Sequence, residues 1–314
     1  MNMNKLEILS IIWTNRCNLK CVYWGRNENK DNECIKRELS NSKWLEIFKD
    51  AKDIGLKKVN MTGGEIFCRS DSIELIKDTI NMGLNVSIET NGTMITESQI
   101  KELSQYKDNL SMSISLDGIT SETNNLTREN GSFEKTFNTI KTIKKYNIPL
   151  RIITVLSDNN YDEIPKLAKT IHEELGLGFR LLPNIIEYGT GVTANDEYGV
   201  SYPKIKKLMD DFYYDFLRKH AEDENLTIEL NMAIIPIDIY RHSFCPWGKA
   251  MLGIGYSGNV ALCHVASDND MFIFDNVKNN KISDLWKYNK KLLKFVNENP
   301  DDLKGVCGNC LARS

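Results

Sequence analysis

The chain has 314 residues, 41% of them hydrophobic and 26% charged, and 40 Lys and Arg stand against 43 Asp and Glu for a net charge of -3. That balance excludes a disordered charged tail and a collagen-like fibre, and it leaves no cationic footprint for wrapping nucleic acid. No run approaches the roughly 18 apolar residues that a spanning helix needs, and the opening residues lack the cleavage site of a secretory signal, so a cytoplasmic protein with no membrane and no nucleic-acid partner is expected.

Taken in chain order, short β-branched runs predict strands at Glu7–Thr14, Lys58–Met61, Asn85–Ile88, Leu110–Leu116, Leu150–Val155 and Gly178–Leu182. Amphipathic periodicity predicts helices near 41–54, 70–82, 96–106, 132–146 and 160–175. This alternation implies six βα units on a parallel sheet, with ligands at the carboxyl ends of the strands. After Pro183 the rhythm breaks, and a helix near 203–220 and a short strand at Thr227–Leu230 follow. A boundary near 230 divides the chain into a core of 1–230, with 186–230 as its linker, and a tail of 231–314. The tail holds four of the eight Cys and few long periodic elements, which suits a small metal-organised module better than a large apolar core. In a reducing compartment eight Cys favour metal ligation or catalysis over disulfides.

The residues just past the strands carry the chemistry. The first strand runs into Cys17-Asn18-Leu19-Lys20-Cys21-Val22-Tyr23-Trp24-Gly25, and the second ends in Thr62-Gly63-Gly64-Glu65. The third leads to Glu89-Thr90-Asn91-Gly92 and the fourth runs Ser113-Ile114-Ser115-Leu116-Asp117-Gly118. Each has a bland reading alone: two incidental Cys, a turn before a helix N-terminus where Glu is favourable, and strand-end turn chemistry. In the tail, Cys245 leads to Gly258 and Cys263, and Cys307-Gly308-Asn309-Cys310 follows. His172, His220 and His242 read as surface or satisfied polar residues, and His264 as a neighbour of a ligating Cys.

In this order the segments resemble the radical S-adenosylmethionine (SAM) superfamily, over about residues 5–185 and 240–314. The resemblance implies a partial (β/α)6 TIM-like barrel with a small C-terminal Cys-rich domain that holds an auxiliary cluster. In that family a C-x3-C-x2-C signature puts three thiolates on a [4Fe-4S] cube, and the open iron chelates SAM. An electron from the cube then releases a 5'-deoxyadenosyl radical that abstracts hydrogen from a substrate. Cys17 and Cys21 match the first two thiols, but Trp24 stands at the third, and an indole N–H has no lone pair for a metal. Cys34 comes from the same loop at a spacing foreign to the family.

The resemblance also implies cofactor-binding roles for Tyr23, Gly63, Gly64, Glu65, Asn91, Ser115, Asp117 and Arg128. The glycines and Glu65 would meet the methionyl ammonium, Ser115 and Arg128 would contact SAM, and Asp117 would lie near the ribose. Cys68 is a candidate for a catalytic hydrogen donor, against its reading as a small buried hydrophobe. The tail resembles the Twitch module, the short form of the SPASM domain, with an auxiliary [4Fe-4S] cluster on Cys245, Cys263, Cys307 and Cys310. Four thiolates also suit tetrahedral zinc, though the barrel in front favours iron and sulfur.

The function so implied is radical oxidation or maturation of a ribosomal peptide or a sugar-like small molecule, with a flavodoxin or ferredoxin as electron donor. Trp24 points to a rival: a non-catalytic paralogue that binds SAM, a peptide or a partner.

Overall fold

Alternation along the strands sets the architecture. In β1 (Ile8–Thr14) the side chains of Leu9, Ile11 and Trp13 are fully buried on one face, and Ser10 and Ile12 lie on the other. Register carries that apolar face across the sheet: Leu9 and Ile11 pair with Val59 and Met61 of β2 (Lys58–Gly63), and these with Val86 and Ile88 of β3 (Asn85–Thr90). The row continues through Leu110 and Met112 of β4 (Leu110–Ser115), and Ile114 of the same strand pairs with Ile152 of β5 (Leu150–Val155), which pairs with Phe179 of β6 (Gly178–Leu182). β7 (Leu226–Ile228) pairs with β6, so all seven strands are parallel and lie in chain order. Structure is described for residues 5–23, 32–182, 190–212, 216, 218–220, 222–223, 226–228 and 248–297 of the computed structural model.

Helices cover the apolar face. After β1 come α1 (Asn32–Arg37) and α2 (Asn41–Lys52), after β2 comes α3 (Ser72–Asn81), and after β3 comes α4 (Glu97–Leu103). α5 (Ser121–Thr127) and α6 (Ser132–Lys145) follow β4, α7 (Ile164–Lys169) follows β5, and α8 (Thr190–Tyr198) and α9 (Tyr202–Phe212) follow β6. Side-chain oxygens start several of them: Ser40, Thr96 and Thr120 each accept a backbone N–H three residues on. The expected partial barrel is present. α1, α5 and α8 are additions to the elements legible in the sequence.

The tail departs from expectation. β8 (Met251–Ile254) pairs parallel with β1 on the flank opposite β2, and β9 (Asn259–Ala261) and β10 (Ile273–Asn276) continue antiparallel beyond it. One sheet therefore runs β10-β9-β8-β1-β2-β3-β4-β5-β6-β7. Leu252, Ile254, Val260 and Val277 join the main core, as do Ile282, Leu285 and Trp286 of α10 (Ile282–Tyr288) and Leu292 of α11 (Lys290–Val296). Ser283 fixes α10 to α2 by giving its N–H and hydroxyl to Asp50 at 2.9 and 2.8 Å. The described tail is thus built on apolar burial as well as any metal, because its short elements gain a common core by adding to an existing edge. The boundary expected near residue 230 falls outside the described residues. Among the described residues no helix is long and apolar enough to cross a membrane.

Candidate functional site

The chain that leaves β1 is fastened at almost every residue. Glu38, whose side chain is only 3% exposed, accepts from Thr14 Oγ1 at 2.5 Å and from the Asn15 N–H at 3.1 Å, and it pairs with Arg16 at 2.9 Å. Asn18 donates to Thr93 Oγ1 at 2.8 Å and accepts from Asn91 Nδ2 at 3.0 Å. Further on, the Lys20 N–H donates to Glu129 Oε1 at 2.8 Å and the Val22 N–H to the Thr127 carbonyl at 3.0 Å. The loop of Cys17 and Cys21 is thereby tied to the loops after β3 and β4, at the carboxyl edge of the sheet. No motif marks Glu38 in the sequence, and only its place between the two Cys points to Asn18.

Cys21 is buried, and burial pushes its thiol up to about 11, an effect that nearby Arg128 counters only in part. It therefore keeps its proton at neutral pH unless a metal displaces it. Cys17 Sγ accepts from the Leu19 N–H at 3.5 Å. Cys68 Sγ lies 4.0 Å from Asn18 Oδ1, which brings a third described thiol to the same rim.

Three of the residues expected around SAM meet in one buried knot. Asp117 is fully buried; its Oδ1 accepts the Val155 N–H at 2.9 Å, and its Oδ2 accepts Arg128 Nε at 2.5 Å and the Tyr23 hydroxyl. Arg128 lies 6.0 Å over the Tyr23 ring. Burial alone would disfavour the Arg128 charge, but the Asp117 carboxylate outweighs it and holds the group more basic than usual. Burial raises the Tyr23 phenol well above its ordinary range, so the hydroxyl stays a donor. Both Asp117 oxygens accept hydrogen bonds inside the protein, and the carboxylate positions Arg128 and Tyr23. Ser115 lies half-buried two residues before it.

Glu65 is likewise turned inward. Its carboxylate accepts from Thr90 Oγ1 at 2.7 and 2.8 Å, from the Asn91 N–H at 2.7 Å and from the Phe67 N–H at 3.1 Å. Burial raises its pKa while these bonds pull the other way. Glu65 buttons the exit of β2 to the exit of β3, which leaves Asn91 anchored beside Asn18. The two glycines bring the Cys loop close: a Cβ on Gly63 would lie 2.4 Å from the Thr14 carbonyl oxygen, and one on Gly64 2.2 Å from that of Arg16 and 2.9 Å from Cys17 Cβ. Backbone bonds use the space, Gly64 N–H to Thr14 O at 2.9 Å and Glu65 N–H to Arg16 O at 2.7 Å. Gly64→Ala should therefore cost about 1–3 kcal/mol and displace Cys17. Urea unfolding of the metal-free protein checks this, and an unchanged midpoint would show that the loop yields without strain.

Beneath this rim the concave face of the sheet is polar. Ser10, Asn60, Ser87 and Ser111 form one register row, and Glu89, Ser113 and Arg151 form part of the next. Arg180 Nη1 lies 3.5 Å from Glu89 Oε1, and Lys58 has its pKa lowered by burial and then by Arg151. The tail reaches the same face. His264 Nδ1 lies 2.8 Å from Ser10 Oγ and 4.0 Å from Cys263 Sγ, and a Cβ on Gly253 would meet the Cys263–His264 backbone at 2.1 to 2.3 Å. Cys263 is thus pressed against β8 at the inner wall; the other tail thiols, Cys245, Cys307 and Cys310, lie outside the described residues, as does Trp24.

The donor set decides which groups fit. Cys17 and Cys21 offer two thiolates, and the indole at position 24 offers none, so a cube held by three thiolates of the signature does not fit these residues as written. The described Cys17, Cys21, Cys68 and Cys263 form no disulfide, which leaves their sulfurs available in kind for metal chemistry.

A family model described as "Radical SAM superfamily" matches residues 11–171, just over half of the chain. The chain belongs to the radical SAM superfamily. A second model, SPASM, described as "Iron-sulfur cluster-binding domain", matches residues 245–311. SAM and [4Fe-4S] clusters, an auxiliary cluster included, are the cofactors of these two domains. The PqqA peptide cyclase of Rhizobium meliloti (strain 1021) is 25% identical over 311 residues, covering 95% of this chain and 77% of that protein. The AdoMet-dependent heme synthase of Methanosarcina barkeri is 25% identical over 219 residues, and the matched region spans 62% of this chain and only 58% of that relative's length. Among solved structures, Streptococcus suis SuiB bound to precursor peptide SuiA superposes with a TM-score of 0.74 at 19% identity, covering 95% of this chain and 68% of that one. Native anSMEcpe with bound AdoMet gives 0.68 at 20% identity, covering 92% and 82%. At such identities these structures speak for the fold.

Proposed function

We propose that this chain is a SAM-dependent peptide-modifying protein that receives a peptide segment on the concave face of its barrel. The observation that carries the reading is the polar lining of that face, Ser10, Asn60, Ser87, Ser111, Glu89, Ser113 and Arg151, directly below the loop of Cys17 and Cys21. An apolar ligand pocket would not keep so many hydroxyl, amide and charged groups, whereas a peptide can pair with them. Arg128, Tyr23, Asn91 and Ser115 are the residues that would hold SAM at the rim. The named substrate of PqqA peptide cyclase and the peptide bound to SuiB support the substrate class. A flavodoxin or ferredoxin would supply electrons.

A second reading, a non-catalytic module that binds SAM and peptide, is favoured by one observation, the absent third thiol at Trp24. Anaerobic reconstitution with iron and sulfide, followed by reduction with SAM, separates the two. About eight irons per chain and released 5'-deoxyadenosine, in the parent chain or in its Trp24→Cys variant, support the enzyme. About four irons, SAM binding and no 5'-deoxyadenosine in both chains support the binding module, and failure to bind SAM overturns both.

A further inference from the structure

On the outer side of the barrel, away from the Cys loop, two histidines 48 residues apart in the chain meet. His172 lies in a π-helical turn, Thr170–Glu174, between α7 and β6, and His220 and Asp223 precede β7. One ligand-type atom from each of His172, His220 and Asp223 lies within 4.8 Å of the other two. We propose that these three side chains form a binding site for a divalent zinc-type cation that staples the β6–β7 edge of the sheet.

Hydrogen bonding sets the ring tautomers for this task. His172 Nδ1 lies 3.1 Å from the Leu177 carbonyl oxygen, which can only accept, so that nitrogen carries the proton. The lone pair is then on Nε2, which faces Asp223 Oδ2 at 3.2 Å. Two ligand atoms about 2.0–2.1 Å from a tetrahedral zinc stand roughly 3.3 Å apart, so this pair already has the spacing of a ligated one. His220 Nε2 lies 2.8 Å from Glu173 Oε1, the carboxylate-to-imidazole bond that commonly orients a metal-binding histidine through its outer nitrogen. Phe216, fully buried, backs both rings, at 5.8 Å from His172 and 4.7 Å from His220, and Phe212 stacks on it at 4.8 Å. The site therefore has a dry wall on one side and an opening on the other, where the Asp223 side chain is 37% exposed. Irregular π turns often mark such functional positions.

The test uses the protein with its iron-sulfur clusters reconstituted, so that thiolates are already committed. One equivalent of zinc is added, unbound metal is removed, and zinc content, thermal midpoint and Zn K-edge absorption are measured. A first shell of nitrogen and oxygen at about 2.0–2.1 Å is expected, against about 2.3 Å for sulfur. Excess zinc should raise the midpoint by about 2–4 °C. His220→Gln and Asp223→Asn, both at partly exposed positions, should each weaken zinc binding at least about tenfold and abolish the midpoint rise. A sulfur first shell, or affinity unchanged in both variants, would overturn the proposal and leave a His172–Asp223 ion pair without metal.

Discussion

Trp24→Cys should raise the iron held after anaerobic reconstitution from about four to about eight atoms per chain, and it should raise reductive SAM cleavage at least about a hundredfold. Loss of a hydrogen-bonding partner of a metal ligand already costs about 10–100-fold in affinity or activity, and a missing thiolate removes the ligand itself. The surroundings are otherwise prepared. Asn18, Lys20 and Val22 pin the loop, Cys21 is buried beside Arg128, and the glycine pair holds Cys17 against the exit of β2. Iron and sulfide analysis with chromatography of 5'-deoxyadenosine reads the result. An unchanged iron count would show that position 24 is not where the cluster lacks a ligand.

Arg128→Met should destabilise the fold by about 3–5 kcal/mol, because it strands the fully buried Asp117 carboxylate without its cation. Against a typical total of about 5–15 kcal/mol this is the largest stability effect expected of a single side chain in the site. Adding Asp117→Asn in the same chain should recover most of the loss, since an amide costs far less to bury than an unpaired carboxylate. Chemical unfolding of the two variants beside the parent measures both terms. If the single variant were as stable as the parent, water would have to reach Asp117 and the knot would not be the closed unit described. SAM affinity should fall in both variants, which separates the proposed SAM-holding role of Arg128 from its structural one.

The strands were legible because they bury apolar rows at period two, and the ordered motifs at their carboxyl ends placed Cys17, Cys21, Gly63, Gly64, Asn91 and Asp117 at one rim. Roles were less legible than places. Nothing local tells that Glu65 and Asp117 turn their carboxylates inward, since this depends on donors 25 to 38 residues away, such as Thr90 and Val155. The strand Met251–Ile254 has four residues and no turn signal that names its partner, so its union with β1 is invisible in the chain. His172 and His220 read as isolated polar residues for the same reason: their proximity is a property of the π turn and the crossover, not of spacing. The serines of the concave face follow from alternation only after the helix-covered side is known.

The seating of β8 against β1 has a consequence for biosynthesis. One flank of β1 stays open until a segment roughly 240 residues later leaves the ribosome. At about 5–20 residues per second that interval is on the order of ten to fifty seconds. Throughout it, nascent chains expose an unsatisfied edge beside Leu9, Ile11 and Trp13, and two copies on neighbouring ribosomes can join there. Slow expression with abundant chaperones, rather than strong induction, is the condition under which this chain should accumulate as monodisperse protein.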